Sequence, residues 1–103
     1  MTSVQARQKD KNAIVLSAKD AQAQSFDNVT VYSWDTSIPG SDQGMTWTMG
    51  VPGTVVGGGI HVHGWYPIYT TDSYPADSSS WKVGVWSDTS QNVDVTVYAI
   101  SMA

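Results

Sequence analysis

By type and spacing, His61 and His63 are the side chains best suited to chemistry in this 103-residue chain. They are alternate residues of the apolar-flanked run IHVHG, so on a strand both point to the same side, about 7 Å apart. Two imidazoles at that spacing can chelate Zn or Ni, with Asp72 or Asp77 as a third ligand. A His-x-His pair also opens a cupin-type metal site, but that site needs a downstream Glu and the chain contains none. With no third ligand at a recognisable spacing, the pair reads as surface or interface residues, and no metal or other cofactor is expected.

Other catalytic constellations are weaker still. Ser, His and Asp are all present, yet no Gly-x-Ser-x-Gly elbow occurs. The run GTVVGGGIHVHG lacks the lysine and the following helix that a phosphate-cradling loop requires. No pair among the scattered aspartates stands out for glycoside chemistry. Asp27, Asp35, Asp42, Asp72, Asp77 and Asp88 lie beside Ser, Thr or Asn at apparent strand ends, where turn chemistry accounts for them. The chain is not expected to be an enzyme.

The aromatic residues point to binding. Five Trp and five Tyr are many for so short a chain. Trp34, Trp65 and Trp86 share predicted strand faces with Thr30, His63 and Lys82, so some of them should be exposed or covered only by a partner. Trp65, Tyr66, Tyr69 and Tyr74 cluster in sequence and could stack on sugar rings while Asp, Asn and Gln side chains supply hydrogen bonds.

These side chains need a scaffold, and composition indicates which kind. Val, Thr, Trp and Tyr suit a pleated, half-buried surface, while the usual helix-surface residues are scarce. The prediction is an all-β fold, a small antiparallel β-sandwich or jelly-roll-like module of six to eight strands, spanning residues 13–103 behind an extended N-terminal arm, residues 1–12. At this length one domain can bury a sufficient core. The strongest strand signals lie at the end, where WKVGV and VDVTVYAI flank the turn SDTSQN and read as a C-terminal pair. AIVL predicts a short strand at Ala13–Ser17, and AKDAQAQS is the one stretch with modest helix propensity. VTVYSW alternates Val29, Val31 and Ser33 against Thr30, Tyr32 and Trp34. MTWTM points Met45, Trp47 and Met49 inward. Thr54–Val56 pairs briefly before Gly57–Gly59, a site for a bulge or a close approach. IHVHGWYPIY continues as a strand whose second half Pro67 makes an edge or a bend, and TTDSYPADSSS is a polar loop.

Charge is divided along the chain. Arg7, Lys9, Lys11 and Lys19 against Asp10 give residues 1–19 a charge of +3, and Lys82 against eight aspartates gives the rest −7, for −4 overall. Four cations without interleaved aromatics are a thin footprint for nucleic acid, so Arg7, Lys9 and Lys11 are expected to lie on an acidic neighbouring subunit. There is no cysteine, hence no disulfide scaffold and no thiolate site. No stretch approaches the ~20 apolar residues of a membrane span, and the N-terminus has no secretion-signal pattern, so a soluble protein made in the cytoplasm is expected. The sequon Asn28-Val29-Thr30 is then a chance match.

From Val51 to Ser101 the order of motifs is distinctive: GTVVGGG, a polar stretch with Tyr74-Pro75, then SSWKVGVWSDTSQNVDVTVYAIS. This half of the chain resembles the C-terminal β module of phage fibre and virion proteins and of some secreted bacterial proteins. Relatives carry cysteines where this chain has Val51 and Ser101, and loss of both suits assembly in a reducing host cytoplasm. The resemblance implies a non-catalytic block, usually trimeric, within a virion. The leading expectation is a capsid decoration or cement protein that clamps major capsid subunits as a homotrimer. The alternative is a tail-fibre or spike tip, or carbohydrate-binding module, that recognises cell-surface glycans. No nucleic-acid or membrane partner is expected.

Overall fold

The computed structural model describes residues 13–40 and 44–102. The predicted basic arm, with Arg7, Lys9 and Lys11, lies outside the described residues, as does Asp42. Among the described residues, eight strands form two four-stranded sheets packed as a sandwich. In chain order they are β1 (Ala13–Ser17), β2 (Gln22–Phe26), β3 (Val29–Ile38), β4 (Gly44–Gly50), β5 (Thr54–Val62), β6 (Ile68–Asp77), β7 (Ser80–Ser87) and β8 (Val93–Met102). The first sheet has the order β1-β4-β7-β6 and the second β2-β3-β8-β5. All pairings are antiparallel except β1 with β4.

The core follows from alternation. Met45, Trp47 and Met49 of β4 and Val83 and Val85 of β7 face Val93, Val95, Val97 and Ala99 of β8, all buried. A strand presents alternate residues to one side, so burying this set leaves Thr46, Thr48, Lys82, Asp94 and Thr96 on the outer faces. The closing strand β8 occupies the middle of its sheet, paired along its length with β3 and β5. The chain's C-terminal run is therefore structural framework, as its valine periodicity predicts.

Several predicted elements differ. The two C-terminal strands do not form a hairpin: β7 belongs to the first sheet and β8 to the second, and residues 88–92 carry the chain across the sandwich. AKDAQAQS is not a helix. After a single 3-10 turn at Ala18–Asp20 it becomes the edge strand β2, because its alanines offer no apolar stripe to hold a helix against the core. A two-residue turn at Asp27-Asn28 joins β2 to β3, with Asp27 in the left-handed region at φ 56°.

The stretch predicted as a polar loop, TTDSYPADSSS, mostly forms β6, an edge strand paired only with β7. Its polarity reflects exposure at an edge. Pro75 and two register shifts interrupt its pairing, the kinds of feature that keep an exposed edge from recruiting another strand. Conversely, β5 runs unbroken through Gly57–Gly59 with a bulge at Val56, and stops at Val62. Gly64 at φ 114° turns the chain away, so Trp65 is on a connection between strands and not on a strand face.

Candidate functional site

Three predicted aromatic residues meet on the outer face of the first sheet. In β7, burial of Trp81, Val83, Val85 and Ser87 toward the interior turns Lys82, Gly84 and Trp86 outward. Their partners on β6 are Tyr74, Asp72 and Tyr69, respectively. Tyr69 and Trp86 are thus a directly opposed cross-strand pair, with Cβ atoms about 5 Å apart. Tyr74 stands beside Lys82, whose Nζ is 6.0 Å from the ring centroid. The two pairs are four positions apart along β7, a distance of about 13 Å.

Between them, the Thr71 and Asp72 side chains cover Gly84, and the β4 side of the face carries small residues. Gly44 and Gly84 flank the aromatic pair, and Thr46 and Thr48 continue the floor on β4. Trp86 leans over Gly44, and its Nε1 donates a 2.9 Å hydrogen bond to Asp88 Oδ1, which restrains the indole. Thr71 Oγ1 donates to Asp72 Oδ2 at 3.2 Å above Gly84. The rings remain open to solvent: Tyr69 is 55% exposed, Tyr74 and Trp86 43% each. Exposed rings, of which Trp86 is restrained, with Asp72, Thr71 and Asp88 between and beside them, can pack against an apolar ring face while bonding its hydroxyls.

Trp65 and Tyr66 lie at the Trp86 end of this face. The connection after β5 is tied down by hydrogen bonds from Ile68 N to Tyr66 O and from Asp88 N to Pro67 O. Tyr66 is partly exposed and Trp65 fully so, without burial by any described residue.

Trp34 is a correction. It is 4% exposed and packs in the interior, with its Nε1 donating to the Ser17 carbonyl at 2.9 Å. It cannot be an interface residue in this fold. Satisfying the indole N–H allows the ring inside, and β3 then turns Val29 and Val31 outward. With Phe26, Ile100 and Met102 they form an apolar end to the outer face of the second sheet, in the rows Phe26–Val29–Met102 and Val31–Ile100. Sequence reasoning missed this patch, although VTVYSW carries large apolar residues on both faces and so signals that one set must remain outside.

The other end of that outer face is polar. His61, Thr96 and Asp35 are aligned across β5, β8 and β3. His63 Nε2 lies 2.8 Å from Thr96 Oγ1, which donates to Asp35 Oδ1 at 2.7 Å. The His61 and His63 ring centroids are 5.3 Å apart, tilted by 52°. This is not a hydrolytic triad: the Thr96 proton goes to Asp35, so His63 has none to take from it. Asp72 and Asp77, proposed above as third ligands, are on β6 in the opposite sheet, and among the described residues no group of three or more His, Cys, Asp or Glu could hold a metal ion.

Among the described residues no helix is long and apolar enough to cross a membrane. No protein-family model and no curated protein matches the chain. Among solved structures it is similar to an N-truncated R1-type pyocin tail fibre at 15% identity and a TM-score of 0.48, over 98% of this chain and 97% of that one.

Proposed function

We propose that this chain is a non-enzymatic virion protein, a fibre- or spike-tip sandwich that recognises cell-surface glycans through the outer face of its first sheet. The observation that carries this reading is the opposed pair Tyr69 and Trp86, exposed, restrained by Asp88 and set on a floor of glycine and threonine. The C–H faces of a pyranose pack on such rings, and Asp72, Thr71 and Asp88 are placed to bond its hydroxyls. Tyr74, about 13 Å away, extends the platform to the length of an oligosaccharide. Trp65 and Tyr66 border one end. The virion context rests on the resemblance of Val51–Ser101 to phage fibre modules. Screening the protein against immobilised bacterial surface polysaccharides tests the reading: saturable binding lost in Trp86→Ala supports it, and the absence of binding to any of them overturns it.

A capsid decoration or cement role is the second reading, favoured by the apolar patch of Phe26, Val31, Ile100 and Met102. A sheet face of this kind suits contact with another protein subunit, either a copy of the chain in a homotrimer or a major capsid protein. Cosedimentation with assembled capsids, lost on removal of residues 1–12, would favour this role over glycan recognition.

A further inference from the structure

We infer that His61 and His63 form a two-imidazole site for a divalent transition-metal ion, with Thr96 and Asp35 as positioning residues. The inference is independent of glycan recognition and starts from backbone placement. His61 ends the outward-facing series of β5, opposite Thr96. The next outward residue, His63, follows the strand, but its backbone N–H still donates to the Asp94 carbonyl at 2.9 Å, so it stays beside β8. His61 is thereby the cross-strand neighbour of Thr96, and the His63 imidazole bonds to its hydroxyl. Two imidazoles bound to one ion at about 2.0–2.1 Å in tetrahedral geometry have ring centres roughly 5 Å apart. The observed separation is 5.3 Å.

The hydrogen bonds around Thr96 determine which His63 nitrogen is available. Thr96 has a single hydroxyl proton, directed to Asp35 Oδ1 at 2.7 Å, and a carboxylate only accepts. Thr96 Oγ1 must therefore accept from His63 Nε2–H across the 2.8 Å contact. Neutral His63 then keeps its lone pair on Nδ1, the atom free to bind a metal. Ligating histidines elsewhere are oriented by a hydrogen bond from the other ring N–H to an acceptor, and here Thr96, itself bonded to Asp35, is that acceptor. With no third His, Cys, Asp or Glu joining the pair among the described residues, solvent completes the coordination. Nitrogen ligands disfavour Mg2+ and Ca2+, and the affinity order for such ligands places Cu2+ above Ni2+ and Zn2+. Because His63 is two residues before Trp65, a bound ion would pin the base of the connection that carries this indole.

The test is titration of the full-length protein with Cu2+, Zn2+ and Mg2+, followed by tryptophan fluorescence, His ring nitrogen NMR and, for Cu2+, electron paramagnetic resonance. Stoichiometric Cu2+ binding with two coordinated nitrogens, weaker Zn2+ binding and no Mg2+ response are expected. His61→Ala and His63→Ala should each reduce Cu2+ affinity at least about tenfold, and Thr96→Val about tenfold. In the metal-free protein Thr96→Val should also shift the His63 tautomer away from Nε2–H, a change that simple loss of stability would not produce. All substituted positions are at the surface or partly so, and circular dichroism checks that each variant folds. Cu2+ affinity that survives loss of both imidazoles, or no binding at stoichiometric Cu2+, overturns the assignment.

Discussion

The indole of Trp81 lies directly on Gly58, joining the two sheets at a point where neither backbone has room to spare. A Cβ added at Gly58 would stand 2.6 Å from Trp81 Cγ and 2.7 Å from the Tyr98 carbonyl oxygen. Trp81 is held in place by a 3.1 Å hydrogen bond from its Nε1 to Ser73 Oγ, and the carbonyl is part of the β8 backbone. The triple glycine is thus a packing device: it lets a tryptophan from the opposite sheet approach the β5 backbone. Gly58→Ala should destabilise the fold by about 1–3 kcal/mol through overpacking. Gly57→Ala, whose Cβ would make only an ordinary 3.5 Å contact with Ile100 Cδ1, should cost distinctly less. Urea denaturation of the two variants checks the contrast.

Trp34 and Trp65 should behave oppositely. Trp34→Ala removes a buried indole and leaves the Ser17 carbonyl without its donor, for a loss of about 3–5 kcal/mol. Trp65→Ala removes a side chain that is fully exposed, and its effect on stability should lie within about 0.5 kcal/mol. Thermal unfolding of the two variants measures the difference.

On the proposed glycan face, Trp86→Ala and Tyr69→Ala should each weaken binding about tenfold or more, as expected for aromatic anchors at a recognition site. Asp88→Asn keeps a hydrogen-bond acceptor for the indole and should weaken binding less. Calorimetric titration with the best-binding polysaccharide identified in the screen decides the order.

The apolar end of the second sheet should mediate association. Phe26→Lys and Met102→Lys each place a charge on that patch, and together they should convert an oligomer to a monomer without altering the strand content. Light scattering and circular dichroism provide the readouts. A wild-type protein that is monomeric at tens of micromolar would argue against a subunit contact there.

Where burial is strictly alternating, the sequence was a dependable guide. Met45, Trp47 and Met49 face inward as MTWTM predicts, and VDVTVYAI forms a framework strand because each second residue is a valine or alanine that fits between sheets. The guide failed where an edge strand is exposed on both sides. TTDSYPADSSS has the composition of a loop, yet its hydrogen bonding to β7 makes it a strand and brings Tyr69, Asp72 and Tyr74 to their positions. Composition records solvation, which an edge strand and a loop share, but not which backbone groups are paired.

The candidate sites divide in the same way. Spacing alone put His61 and His63 on one side and named Trp86, Tyr69 and Tyr74 as binding residues. It could not reveal that Tyr69 opposes Trp86, that Thr96 and Asp35, respectively 33 and 28 residues away from His63 in the chain, complete the histidine pair, or that Trp34 goes inside. The sequence by itself determined that this chain is an all-β, aromatic-rich, cysteine-free body whose last residues form a strand, because side-chain period and β-preference are local properties. Only the tertiary structure decided which face of each strand water touches and which distant residues become neighbours. Those depend on strand order and register, and they are set by how two sheets minimise exposed apolar surface together.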